Sequence, residues 1–259
     1  MDLGYIWICS VCYQKLSVNV STPFAGINLK SFDLSLRLTL AGSSQNVNQR
    51  LNCRTTQQYH KVIRRAQSLY IQERVLPYLQ LPGPVEIDET CISRRVRNNI
   101  GCFPKLRWVF GMFCRTTKMA VMYYIPFKKS YPLMNLVKKH VPPGSTVFSD
   151  AAASYVNLHR PASHLNRYGW YHFWINHSDN YVHEKLPFVC TSKIESTWGQ
   201  MKQKYCSLNA TSDPVTIGEY LDNFLAHTIM KKEKLYDFTL QCLSRYYWSR
   251  LQQFRELSQ

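Results

Sequence analysis

"GPVEIDETCI", residues 83–92, decides how this chain is read. Pro82, Gly83 and Pro84 punctuate the backbone, and the run over 85–91 then has the make-up of a core strand. Yet Glu86, Asp88 and Glu89 place three carboxylates inside it. A carboxylate on a strand meant for burial is costly unless a charge compensates it. Asp88, in the middle, needs a partner that the strand itself does not supply.

The following segments give that strand its neighbours. "RWVFGMFCR" (107–115) and "MAVMYYIPF" (119–127) are β-rich runs joined by the short turn "TTK". "SYPLMNLVKKHV" (130–141) spaces Leu133, Leu136 and Val137 as a helix does. "TVFSD" (146–150) is a short buried strand ending in an acid, and "AAASYVNL" (151–158) is expected to start a helix. "GWYHFWI" (169–175) is another strand, and "SKIESTWGQMKQKY" (192–205) is a helix with Ser192 as its cap. The order is β-β-β-α-β-α-β-α, an antiparallel meander followed by helices alternating with parallel strands. It is the order of an α/β, ribonuclease H-like mixed sheet.

In that fold the first and fourth strands are central neighbours and the last helix crosses them. Asp88, Asp150 and Glu195, far apart in sequence, are therefore expected to converge. Converging oxygen ligands suit Mg²⁺ or Mn²⁺. Two such ions ~3.5–4 Å apart can activate water and stabilise the leaving oxygen of a phosphodiester. Taken singly, each acid also has a structural reading: a solvated strand end, a helix cap and a first-turn acid. Glu86 and Glu89 are expected at the rim of the site or just behind its ligands, not as ligands themselves. Lys202 follows Glu195 by seven residues on the same helix face, about 10.5 Å away, which suits a phosphate backbone crossing the site. Trp198, between them, is expected to pack.

Charge supports a polyanionic partner. The 259 residues carry 32 Lys and Arg against 16 Asp and Glu, a formal +16. At 45% hydrophobic residues the composition is that of a globular protein. The longest apolar runs fall far short of the roughly 20 residues that span a bilayer, and "MDLGYIWICSVC" lacks the basic start of a secretion signal. Nine cysteines, an odd number, read as reduced thiols.

Upstream, "FDLSLRLTL" (32–40) alternates as a strand does, while Leu29, Phe32, Leu36 and Leu40 also fit a helical stripe. Residues 45–72 read as two helices around a turn at "NCRTT". The second puts Tyr59, Val62, Ile63, Ala66, Leu69 and Tyr70 on one face and His60, Lys61, Arg64 and Arg65 on the other. That is the layout of a helix-turn-helix with a basic recognition helix, or of an amphipathic pair with a solvated basic face. The hairpin "SRRVRNNIGCFPK" adds Arg94, Arg95, Arg97 and Lys105 as candidate backbone contacts. Ile217, Tyr220, Leu221, Phe224, Leu225 and Ile229 form a stripe suited to packing on the core.

"VEIDET", "RWVFGM", "PPGSTVFSDAAASY", "INHSDNYV" and "TSKIESTWGQMKQ", in this order, resemble the DDE transposases of the Merlin superfamily and its bacterial insertion-sequence relatives. "CSVCYQKLSV" and "TPFAGINL" resemble the end of that family's N-terminal zinc ribbon. The resemblance implies a ribbon remnant (1–28), a helix-turn-helix-like region (29–80), a ribonuclease H-like catalytic domain (81–210) and a C-terminal helical extension (211–259). It implies that Asp88, Asp150 and Glu195 are the acidic triad holding two Mg²⁺ or Mn²⁺ ions. Lys202 matches a basic position of the family, and Asn176 and His177 lie in a block near its site. The implied activity is phosphodiester hydrolysis and strand transfer on double-stranded DNA, at transposon terminal repeats and at target DNA, by a homo-oligomer. The implied location is the nucleus of a eukaryote or else the cytoplasm. A ribbon zinc needs four ligands, and only Cys9 and Cys12 are present, so zinc is not expected and the chain reads as truncated at its start. The rival reading is a domesticated or decayed transposase that binds DNA without chemistry.

Overall fold

A computed structural model of the chain describes residues 6–8, 15–17, 28–40, 52–92, 106–157, 162–176, 186–205, 213–230 and 232–257. The chain divides into two compact units, 1–73 with 230–259, and 74–229.

The first unit opens with an antiparallel pair, β1 (Ile6–Ile8) and β2 (Lys15–Ser17). Cys9 and Cys12 fall between them, outside the described residues. The ambiguous segment is a helix, α1 (Leu29–Leu40). Phe32 and Leu36, one turn apart, are buried, and Asp33 pairs with Arg37 at 2.8 Å along the outer face. In α2 (Cys53–Tyr70), "NCRTT" is the helix start and not a turn. Asn52 caps it, its side chain accepting from the Arg54 backbone N–H at 2.9 Å. Tyr59, Ile63 and Ala66 are buried as the periodicity requires, and Lys61 and Arg65 are exposed. His60 is held below its ordinary pKa by burial and by the Arg64 guanidinium. The preceding helix expected around Val47 and Leu51 lies outside the described residues.

The second unit is built on a five-stranded mixed sheet. Its elements are β3 (Val85–Cys91), β4 (Trp108–Cys114), β5 (Ala120–Ile125), α3 (Ser130–His140), β6 (Thr146–Asp150), the short pair β7 (Val156–Asn157) and β8 (Ala162–Ser163), β9 (Tyr171–Ile175), α4 (Ser192–Lys204) and α5 (Pro214–Ile229). The spatial order is β5-β4-β3-β6-β9. The β3–β4 and β4–β5 pairs are antiparallel, and the β3–β6 and β6–β9 pairs are parallel. The first and fourth strands of the unit are thus central neighbours, as the element order predicts, and the topology is compatible with a ribonuclease H-like fold.

Register assigns the faces, because paired residues on adjacent strands point the same way. The rows through Glu86, Asp88 and Thr90 face α4 and α5, where Val109, Ala120 and Met122 pack with Ile194, Trp198, Ile217 and Leu221. The rows through Ile87 and Glu89 face the other side. There Tyr123 stacks on His140 of α3 and bonds it at 2.6 Å.

One expected helix is absent. Residues 151–155 form a turn that leads into β7 and β8. The Asp150 carboxylate accepts from the Ala152 N–H at 3.0 Å, and the turn delivers Tyr155 to complete burial beneath the sheet. The local preference of an alanine-rich stretch for helix yields to the burial of one large aromatic side chain.

After residue 230 the chain belongs to the first unit again, with α6 (Lys232–Leu257) packed on α1 and α2. Leu235, Phe238, Cys242 and Leu243 are buried there, and Gln67 donates to Thr239 at 2.8 Å inside the helix contact. The segment after 211, read from sequence as one extension, is therefore divided between the units. Among the described residues no helix is long and apolar enough to cross a membrane.

Candidate active site

β3 and β6 set the first two acids side by side. The printed register pairs Val85 with Val147 and Glu86 with Phe148. Continued by two residues, it brings Asp88 level with Asp150, on the same face. Both are half-buried. Burial pushes the Asp88 carboxyl up to about 7, with the charges of Asp150 and Glu89 adding to the rise and a hydrogen bond from Trp198 opposing it. Among the described residues no cation offsets that rise.

α4 is pinned to β3 at three heights. Two strand residues advance about 6.6 Å and four helix residues about 6 Å, so the two elements stay in step when they run parallel. At the first height, Glu86 accepts from the Lys193 N–H at 2.8 Å and the Ile194 N–H at 3.0 Å. At the second, the Trp198 indole N–H donates to Asp88 Oδ2 at 2.8 Å. At the third, Lys202 Nζ donates to Thr90 Oγ1 at 2.6 Å. Trp198 packs as expected, and it also orients an acid. Lys202 lies against the sheet, half-buried.

Gly111 makes room for the indole. It is the register partner of Asp88, and a Cβ there would stand 2.3 Å from Trp198 Cη2 and 3.0 Å from Ile194 Cδ1. Gly111→Ala is expected to push the indole off Asp88 and to destabilise the protein by about 1–3 kcal/mol, the range for overpacking. Denaturant titration of the variant checks this, and an unchanged midpoint would show that the indole yields without cost.

Glu195 lies in the first turn of α4, on the helix that covers the Asp88 face. It is exposed, and its Oε1 accepts from the Thr191 hydroxyl at 2.8 Å. Among the described residues there is no group of three or more His, Cys, Asp or Glu side chains disposed to hold a metal ion. Asp88 and Asp150 thus lie on the two central strands, and Glu195 bonds Thr191 on the helix that covers the Asp88 face.

Glu86 is not a rim acid. It is fully buried and forms the N-terminal anchor of α4, and Arg115 Nε donates to its Oε1 at 2.6 Å. The same guanidinium donates to the carbonyls of Phe188 at 2.6 Å and Cys190 at 2.8 Å, and lies 4.5 Å over the Phe148 ring. One arginine thus ties the entry to α4, the start of β3 and the middle of β6 together. Of the two sequence expectations for Glu86, the place behind the site holds and the rim does not, while its anchoring of α4 depends on contacts the local sequence does not show.

Glu89, on the other face, is also buried. It accepts a short bond from the Tyr155 hydroxyl and pairs with Lys128 Nζ at 3.3 Å. Burial raises its pKa, while Tyr155 and Lys128 lower it. Below Asp150, His172 bonds Ser149 and Ser163, each at 2.8 Å, and bridges β6 to the β8 segment. Burial depresses its pKa to about 4, so the ring is neutral. Asn176 is exposed and follows Ile175, the register partner of Asp150. His177, Arg94, Arg95, Arg97 and Lys105 lie outside the described residues, and Arg64 and Arg65 belong to the first unit.

The mixed sheet thus carries two aspartates on its central strands under an acid-bearing helix. Residues 80–225 match the ISXO2-like transposase domain. The chain belongs to that family, a DDE transposase family of the insertion-sequence type. No curated protein matches the chain.

Proposed function

We propose that the protein is a ribonuclease H-like transposase that cuts and joins DNA with divalent cations. What supports this reading is that Asp88 and Asp150 lie on the two paired central strands, each two residues beyond the last register pair, inside the matched domain. The donor set fits a hard cation. It consists of carboxylate oxygens, and burial beside a second acid pushes the Asp88 carboxyl up to about 7, a rise that a bound cation would offset. Asp88, Asp150 and Glu195 would hold Mg²⁺ or Mn²⁺, which when bound lowers the pKa of a water nucleophile and neutralises a leaving oxygen.

The chain's own residues do the rest. Trp198 fixes one Asp88 oxygen, the Glu86–Arg115 pair fixes the helix that carries Glu195, and Lys202 places a cation two turns beyond it. Water attack on the phosphodiester at a transposon end breaks the bond to the 3′ oxygen. The freed 3′-hydroxyl then attacks a target phosphodiester, bonding to its phosphorus as the target strand's 3′ oxygen leaves. Terminal-repeat and target duplexes are the substrates, and a homo-oligomer is the expected active form.

The test is Mn²⁺-dependent nicking of duplexes that carry the inverted repeats flanking the gene, beside matched RNA–DNA hybrids. Nicking of DNA by the wild type and none by Asp88→Asn is the expected result. No nicking by either protein, with DNA retained on a gel, would replace this reading with that of a binding protein.

A further inference from the structure

We propose that residues 127–131 form a stacking platform for unpaired nucleotides next to the phosphate that is cut. This rests on the reading that DNA is processed at Asp88 and Asp150. β5 is antiparallel to β4, which is antiparallel to β3, so β5 ends on the same sheet edge as β3 and β6. Asp150 closes β6 at that edge.

Phe127, Lys128 and Lys129 follow β5 there, and Ser130 and Tyr131 open α3. Phe127 is 50% exposed and Tyr131 77%, high exposure for large aromatic rings. Tyr168 and Tyr171, also exposed, precede or begin β9 and so lie at the opposite edge. The lysines between the two rings are positioned. Lys128 Nζ sits 4.0 Å over the Trp108 ring and 3.3 Å from Glu89, the residue after Asp88. Lys129 Nζ lies 5.3 Å from the Phe127 ring centre. Lys128 thus fastens this segment to the strand that carries Asp88, through Glu89 on the opposite face of the sheet.

Chemistry selects the occupant. Aromatic rings interleaved with ammonium groups match a strand that offers base faces and phosphates together. A protein partner would have to bury two lysines. In a duplex the base faces are stacked on one another and hidden, so exposed rings beside a cutting site match bases already out of the helix. Each ring that stacks on a base contributes about tenfold in affinity or more.

The experiment uses the full chain in EDTA, so that nothing is cut. The probes are a forked duplex with 2-aminopurine at the first unpaired position and the same sequence fully paired. The wild type is expected to bind the fork at least about tenfold more tightly and to quench the 2-aminopurine. Phe127→Ala/Tyr131→Ala is expected to lose that preference and the quenching while binding the paired duplex as before, with an unchanged thermal midpoint because both rings are exposed. Phe127→Trp is expected to keep the preference. Equal binding of fork and duplex by the wild type would overturn the proposal. So would an alanine variant that keeps the preference, or one whose only change is in sedimentation, which would assign the rings to contact between copies. A fork preference in a protein that never nicks would overturn the catalytic reading and leave the platform standing.

Discussion

Asp88→Asn is expected to lower Mn²⁺-dependent nicking on the order of a thousandfold or more, because it removes a charge that holds the cation at the reacting phosphate. The same substitution is expected to change stability in the opposite sense. The folded-state pKa of Asp88 is about 7 against an ordinary 3.8, so the folded protein holds this proton when the unfolded chain has released it. Its contribution is fully present below about pH 4 and is lost as pH rises through 7. From the size of the shift, the loss is no more than about 4 kcal/mol, and less where water reaches the half-buried group. In chelator, the wild-type unfolding midpoint should therefore fall between pH 4 and 8 by more than that of Asp88→Asn. Mn²⁺ added at pH 8 should raise the wild-type midpoint and leave the variant unmoved. Identical pH profiles for the two proteins would show that Asp88 is solvated like any surface acid.

Arg115→Ala is expected to be the most destabilising single change in the sheet unit. It leaves the fully buried Glu86 carboxylate with two backbone donors and no opposing charge, and it frees the carbonyls of Phe188 and Cys190. Breaking a buried pair in this way costs about 3–5 kcal/mol. Arg115→Lys should recover only part, because one ammonium cannot reach the carboxylate and both carbonyls in the planar arrangement that the guanidinium fills. Urea denaturation measures both variants. If Arg115→Ala shifts the midpoint no more than an ordinary surface substitution, Glu86 is not the anchor of α4.

The sheet was legible because its signals are local. Breakers at Pro82–Pro84, runs of strand length and an acid inside an apolar run are each visible within a few residues, and they located β3 and β6, the strands that carry Asp88 and Asp150. Contacts distant in sequence were not legible. Glu86 meets Arg115 29 residues on and the start of α4 107 residues on, so nothing near it separates it from Glu89. The alanines of 151–153 favour helix locally, and only the Tyr155 pocket under the sheet overrides them. The 32–40 stretch fits two periods, and the burial of Phe32 and Leu36 on one helical face decided between them. Trp198 was read as packing because its second role depends on Gly111 lying opposite Asp88 on the next strand.

Anomalous scattering from crystals of the full chain soaked in MnCl₂ tests the central claim most directly. The account predicts a manganese peak bridging the Asp88 and Asp150 carboxylates, with Glu195 released from Thr191 to join them. A peak elsewhere, or none, with Glu195 still on the Thr191 hydroxyl, would contradict it.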